Sequence, residues 1–203
     1  MLFILLFLSL GPSKAYSYFS YINTGEILVD EAYRVTLEPQ IVPDGGGFNL
    51  VGHFDMAIAG DAELRMTIGS GNKTDFQAGG FIKWIPYPDY EDQPAFGFVA
   101  GGLYGRFASN TQVSLRFAPM ASKKYEHTSG TWNTYVALPT GVTATKSETF
   151  NPLQIAFGAD FKSRELRSVT WGGEVGINLQ KSFNYISGFV TLVFDEKTGP
   201  QIR

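Results

Sequence analysis

The chain has 203 residues, a net charge of −3, 17 % charged and 15 % aromatic residues, 23 glycines and no cysteine. That apolar content excludes a disordered chain, and the weak charge gives none of the clustered basic surface that nucleic acid requires. The missing cysteine removes disulfides, thiol catalysis and cysteine-bound metal.

In chain order, residues 1–10 read MLFILLFLSL, and Ser13 and Ala15 occupy the −3 and −1 places of a signal-peptidase site. Residues 1–15 therefore read as a secretory signal peptide, with maturation at Tyr16 and a single domain over 16–203. The apolar run is shorter than the ~20 residues a membrane helix needs. Beyond Tyr16 the chain falls into alternating runs separated by Gly, Pro, Asn and Asp. Strands are expected at 27–42, 48–58, 62–70, 74–85, 95–107, 111–121, 131–144, 152–163, 169–180 and 183–194. That is about ten strands, within a range of about eight to twelve, most of them near the ten or so residues a tilted strand needs to cross a hydrocarbon core. Strands of soluble sheets are shorter, about five or six residues. The segments PYPDYEDQP (86–94) and KKYEHTSG (123–130) read as the longer loops.

Period two splits each strand into an apolar and a polar face. In 170–180, TWGGEVGINLQ, one face carries Trp171, Val175, Ile177 and Leu179, the other Gly172, Glu174, Gly176 and Asn178. The polar faces together hold Arg34, Arg65, Lys83, Arg116 and Lys162 against Glu38, Asp55, Glu63, Asp160 and Glu174, with His53 and Asn178 among them. They also hold Gly69, Gly79, Gly158, Gly172 and Gly176. A water-facing surface does not call for such small residues. The crowded lumen of an eight- to ten-strand barrel does, because side chains fill it. Charges enclosed there must be paired, since an isolated buried charge costs several kcal/mol. Glu174 is accordingly expected to meet Arg34, Arg65 or Arg116. Trp84, Trp132 and Trp171 fall on the apolar face at one barrel end, with Tyr33 and Phe194, as an aromatic girdle at a membrane–water interface.

The leader, the ten-residue alternating strands, the aromatic rim and the glycine-bearing polar face resemble those of a small bacterial outer-membrane β-barrel. The resemblance implies an all-β, up-and-down antiparallel transmembrane barrel with a polar lumen and an apolar exterior. It further implies an outer-membrane location, with membrane lipid, lipopolysaccharide and the barrel-insertion machinery as partners.

Chemical motifs are sparse. Gly69–Thr74, GSGNKT, lacks the glycine spacing of a phosphate loop and reads as a hairpin turn. His53 and Asp55 share the polar face, where Asp could orient His as a general base, with Ser114 on the same side. His127 and Ser129 are a second candidate nucleophile–base pair. Asp89, Glu91 and Asp92 lack the spacing of a calcium loop, and two histidines are too few for an ordinary zinc site. No catalytic residue, metal or cofactor is expected. The leading expectation is a non-enzymatic outer-membrane barrel, structural or narrow and porin-like, with a charge-paired and largely plugged lumen. A lipid-modifying outer-membrane hydrolase and a soluble lipocalin-like periplasmic barrel are the alternatives.

Overall fold

The computed structural model describes residues 20, 24–44, 47–107, 109–166 and 168–195. The leader expected over residues 1–15 lies outside the described residues. Twelve strand segments follow in order: β1 Ala32–Val42, β2 Gly47–Ala59, β3 Ala62–Gly71, β4 Thr74–Tyr87, β5 Ala95–Phe107, β6 Asn110–His127, β7 Gly130–Ala137, β8 Thr140–Thr145, β9 Thr149–Phe150, β10 Leu153–Ser163, β11 Val169–Gln180 and β12 Tyr185–Asp195. They form ten barrel strands. Segments β7 and β8 are one strand interrupted at Leu138-Pro139, and both pair with β6. Segments β9 and β10 are the next, interrupted at Asn151-Pro152. Each break contains a proline, which has no N–H to give the ladder. The first break stays tied across, because Leu138 N–H donates to Pro119 O at 3.0 Å and Gln154 N–H to Pro139 O at 2.9 Å.

Each strand pairs antiparallel with its sequence neighbour, and β12 closes on β1 from Tyr33 opposite Phe194 to Ile41 opposite Ile186. The architecture is a closed, up-and-down, ten-strand antiparallel barrel without edges. One end, the terminal end, holds the start of β1 and the end of β12 together with the β2–β3, β4–β5, β6–β7 and β10–β11 connections. The other end, the distal end, holds the β1–β2, β3–β4, β5–β6, β8–β9 and β11–β12 connections.

Three expectations change. Segment 123–130 is not a loop: β6 runs to His127 and turns tightly through Thr128-Ser129 into β7, in register from Ser122–Tyr135 to His127–Gly130. Paired strand satisfies those backbone groups better than a solvated loop. Alternation leaves the faces of 95–107 ambiguous, and β5 resolves them, with Val99, Leu103 and Phe107 inward and Phe96 and Tyr104 outward. The third change concerns the first expected strand: residues 27–31 do not belong to it. Ala32 N–H donates to Val29 O at 3.1 Å, and Glu31 sits at φ 64°. That turn reverses the chain, so the described residues before it run back inside the barrel as an inner strap.

The distribution of side chains inverts that of a soluble protein. Leu37, Ile41, Ile68, Leu115, Leu179 and Ile186 are all more than half exposed, while Glu38, Glu63, Lys83 and Glu174 are buried to within 1 %. The interior has two sectors. Strands β1 to β4 contribute most of the charges. Phe81, Ile85, Val99, Leu103, Met120 and Tyr135 form an apolar cluster that begins on β4, on either side of Lys83, and runs through β5, β6 and β7, and Ile27 of the strap packs against it.

Candidate functional site: the lumen

The charged sector is built on register. Asp55 of β2 stands opposite Arg34 of β1 and Arg65 of β3, so one carboxylate is flanked by two guanidiniums. Arg65 donates to it bidentately, Nε to Oδ1 at 2.6 Å and Nη2 to Oδ2 at 2.9 Å. Arg34 Nε donates to Oδ2 at 2.8 Å, and its Nη2 reaches Glu63 at 2.6 Å. Glu63 stands opposite Lys83 in the β3–β4 ladder, and that pair closes at 2.8 Å. Five charged groups from four strands thus form one network.

The strap is held by this network through its main chain. Lys83 Nζ donates to Glu26 O at 2.5 Å and Thr24 O at 3.3 Å, which with Glu63 uses all three of its protons. Leu28 N–H donates to Glu63 Oε1. Deeper in the barrel, Ser20 Oγ donates to Glu38 Oε2 at 2.8 Å. Backbone groups of an extended segment enclosed away from the ladder need such partners.

His53 does not use Asp55 as its orienting acid. Its Nε2 meets Glu38 at 2.9 Å and its Nδ1 meets Thr67 Oγ1 at 2.9 Å, because Asp55 is taken by two arginines. Ser114 bonds Thr143 at 2.8 Å. The arrangement therefore ties strands together and offers no nucleophile–base pair. His127 Nδ1 does lie 3.0 Å from Ser129 Oγ, but in the exposed hairpin tip.

Glu174 accepts hydrogen bonds from the hydroxyls of Tyr135, at 2.5 Å, and Tyr185, where the sequence reading looked for an arginine. Two phenols reach it because each ring lies over a glycine directly across the ladder: Gly158 opposite Tyr135, and Gly176 opposite Tyr185. A Cβ at either glycine would run into the ring. The sequence carries this ring-over-glycine pairing as glycines on a polar face, and only the register shows that Tyr135 and Tyr185 use the space. Arg116 is buried in the same lumen, with Asp160 bonded by Asn133 Nδ2 at 2.8 Å, while Lys162 and Asn178 are half-buried.

The aromatic set gathers at the terminal end. Tyr33 pairs with Phe194, and Trp132 and Trp171 both stand opposite Phe161. Trp84, Trp132 and Trp171 are 40–46 % exposed. Trp84 Nε1 donates to Asp61 at 2.6 Å, which keeps its polar edge at the turn. At the distal end Val42, Phe107, Phe183 and Tyr185 pack together. Asn184 pins the 181–184 turn there by donating to Asp44 through N, at 3.1 Å, and Nδ2, at 2.6 Å.

Of the acidic loop residues, Asp89 is spent on the rim. It accepts from Lys123 Nζ at 2.6 Å and from Lys124 N–H at 2.7 Å. Desolvation opposes its ionisation, yet these two hydrogen bonds and the lysine charges prevail and hold its carboxyl below the usual value. A carboxyl lowered by folding adds stability that is complete above its unfolded value, about 3.9 for Asp, and is lost as pH falls through the lower folded value. The Lys124 amide resonance should therefore titrate with a midpoint below about 3.9, and Asp89→Asn should abolish that titration. A midpoint at or above the ordinary value would show that the contact is not formed.

No protein-family model matches the sequence, and no curated protein matches it. Among solved structures the chain is similar to a bacterial polysaccharide outer membrane secretin, at 12 % identity and TM-score 0.48, over 82 % of this chain and 66 % of that one. It is similar to an outer membrane channel from Pseudomonas putida F1, at 10 % identity and TM-score 0.48, over 87 % of this chain and 100 % of that one. It is also similar to KdgM porin, at 9 % identity and TM-score 0.41, over 78 % of this chain and 98 % of that one. The fold itself, an all-β closed antiparallel barrel of the kind found in small bacterial outer-membrane proteins, rests on the ladder and the inverted burial described above.

Proposed function

We infer that the chain is a non-enzymatic integral outer-membrane barrel, narrow and porin-like in build, whose lumen is held closed by paired charges and by its own inner strap. The observation that carries this reading is the Lys83–Glu63 pair, which faces the lumen and clasps the strap backbone at Thr24, Glu26 and Leu28. An apolar exterior of membrane-crossing strands, Trp residues at one rim and hydrogen-bonded charges inside fit a bilayer-spanning element. A lipocalin-like soluble barrel would carry the opposite distribution, and a lipid hydrolase would need a polarised nucleophile at the membrane rim.

Planar-bilayer recording tests the reading. The intact barrel should be electrically quiet, and deleting residues 24–29 should produce discrete conductance steps. The double variant Lys83→Met/Glu63→Gln should open intermittently. Steady conductance by the intact chain would remove the plug. Recovery of the mature chain in the soluble periplasmic fraction would remove the membrane reading altogether.

A further inference from the structure

Between the strap and the wall formed by β1, β10, β11 and β12 lies a cavity of about 190 Å³. Its two sides differ in chemistry. Ile27 and Val29 of the strap, with Phe189 and Val193 of β12, supply an apolar surface, while Asp160 and Lys162 of β10 and Thr170 and Thr191 supply a polar one. Arg34, Arg65 and Glu26 also border it, but the guanidiniums are engaged with Asp55 and Glu63, and the Glu26 carboxylate has Lys124 Nζ at 4.0 Å. Asp160 and Lys162 are different. Asp160 is 7 % exposed, and the hydrogen bond it receives comes from a neutral amide, Asn133. Lys162 makes no ion pair within 4.0 Å among the described residues. The two sit two residues apart on one strand face, roughly 7 Å along the strand, so a carboxylate and an ammonium open side by side into one small cavity without meeting each other.

We propose that this cavity binds a small zwitterion with an apolar side chain, the chemistry of an aliphatic α-amino acid. Its ammonium pairs with Asp160, its carboxylate pairs with Lys162 and accepts from the threonine hydroxyls, and its side chain packs on Ile27 and Phe189. An anion alone would leave Asp160 uncompensated beside it, and a cation alone would do the same to Lys162. Only a ligand carrying both charges satisfies both groups, and the penalty for leaving one charge unpaired in a desolvated site supplies the selectivity. The strap forms one wall, so the ligand touches both the strap and the barrel.

Calorimetry on the detergent-solubilised full chain tests this independently of any conductance. The probes are L-leucine, leucinamide, which lacks the carboxylate, and 4-methylpentanoate, which lacks the ammonium. L-leucine should bind about tenfold or more tightly than either analogue, the scale of one charge-assisted contact. Asp160→Asn should weaken L-leucine and leave 4-methylpentanoate unaffected, whereas Lys162→Met should weaken L-leucine and leave leucinamide unaffected. Lys162 is half-buried, so its variant keeps the test sound even where Asp160→Asn disturbs the fold. Equal binding of all three probes, binding of none, or an L-leucine affinity indifferent to Lys162→Met would overturn the proposal. Loss of binding alongside an electrically quiet intact barrel would leave the plugged-barrel reading standing.

Discussion

Replacing Asp55 with Leu should destabilise the barrel by roughly 3–5 kcal/mol, the cost of removing one partner from a buried ion pair. The size follows from the geometry. Asp55 is 1 % exposed and is the shared acceptor for Arg34 and Arg65, so its loss leaves two guanidiniums facing each other in the lumen. Arg34 retains Glu63, but Arg65 loses its bidentate partner. The double variant Asp55→Leu/Arg65→Met should recover a good part of that loss, because it removes the guanidinium that lost its bidentate carboxylate together with that carboxylate. Urea unfolding in lipid vesicles, followed by heat-modifiable gel mobility, measures both. An Asp55→Leu barrel as stable as the parent would mean that lumen water screens these charges and that the network contributes little. A double variant no better than the single one would place the cost in packing instead of charge.

Val175→Arg should cost about 2–4 kcal/mol, the penalty for a cation on the lipid face of a barrel near the bilayer midplane. Val175 lies at the middle of β11, between Phe157 of β10 and Ile186 of β12 in the ladder. Those neighbours are 46 % and 51 % exposed, which places all three on the outer surface. Leu179, near the distal end of the same strand and 53 % exposed, should tolerate Arg at about 0–1 kcal/mol, because the penalty falls towards the interface. The contrast between the two positions separates a bilayer from any other apolar partner. Equal costs, or none, would contradict an exterior set in hydrocarbon.

Much of this fold was legible from alternation alone. Within β11, Trp171 and Leu179 are exposed while Glu174 is buried, as period two and the glycines at 172 and 176 imply. The ten barrel strands follow the expected segments because the breakers between them contain the Gly, Asn and Asp that tight turns use. The proline breaks interrupt strands without ending them, since the neighbouring ladder bridges the gap. The first strand begins at Ala32 and not at residue 27 for a plain reason. Ile27, Leu28 and Val29 carry the composition of a strand, and nothing local distinguishes backbone satisfied by a ladder from backbone satisfied by Lys83 and Glu63.

By itself, then, the sequence determined a count of about ten strands, the apolar and the polar face of most of them, and the end at which the tryptophans gather. These properties come from a period of two and from turn chemistry, both of which act over a few residues. The partners inside the lumen were decided only by the tertiary structure. Asp55 serving two arginines, Glu174 served by two tyrosines, and the strap folded back against Lys83 all depend on which residues register brings level around a closed barrel. Register is a relation between strands far apart in the chain, and closure is what encloses their polar faces together.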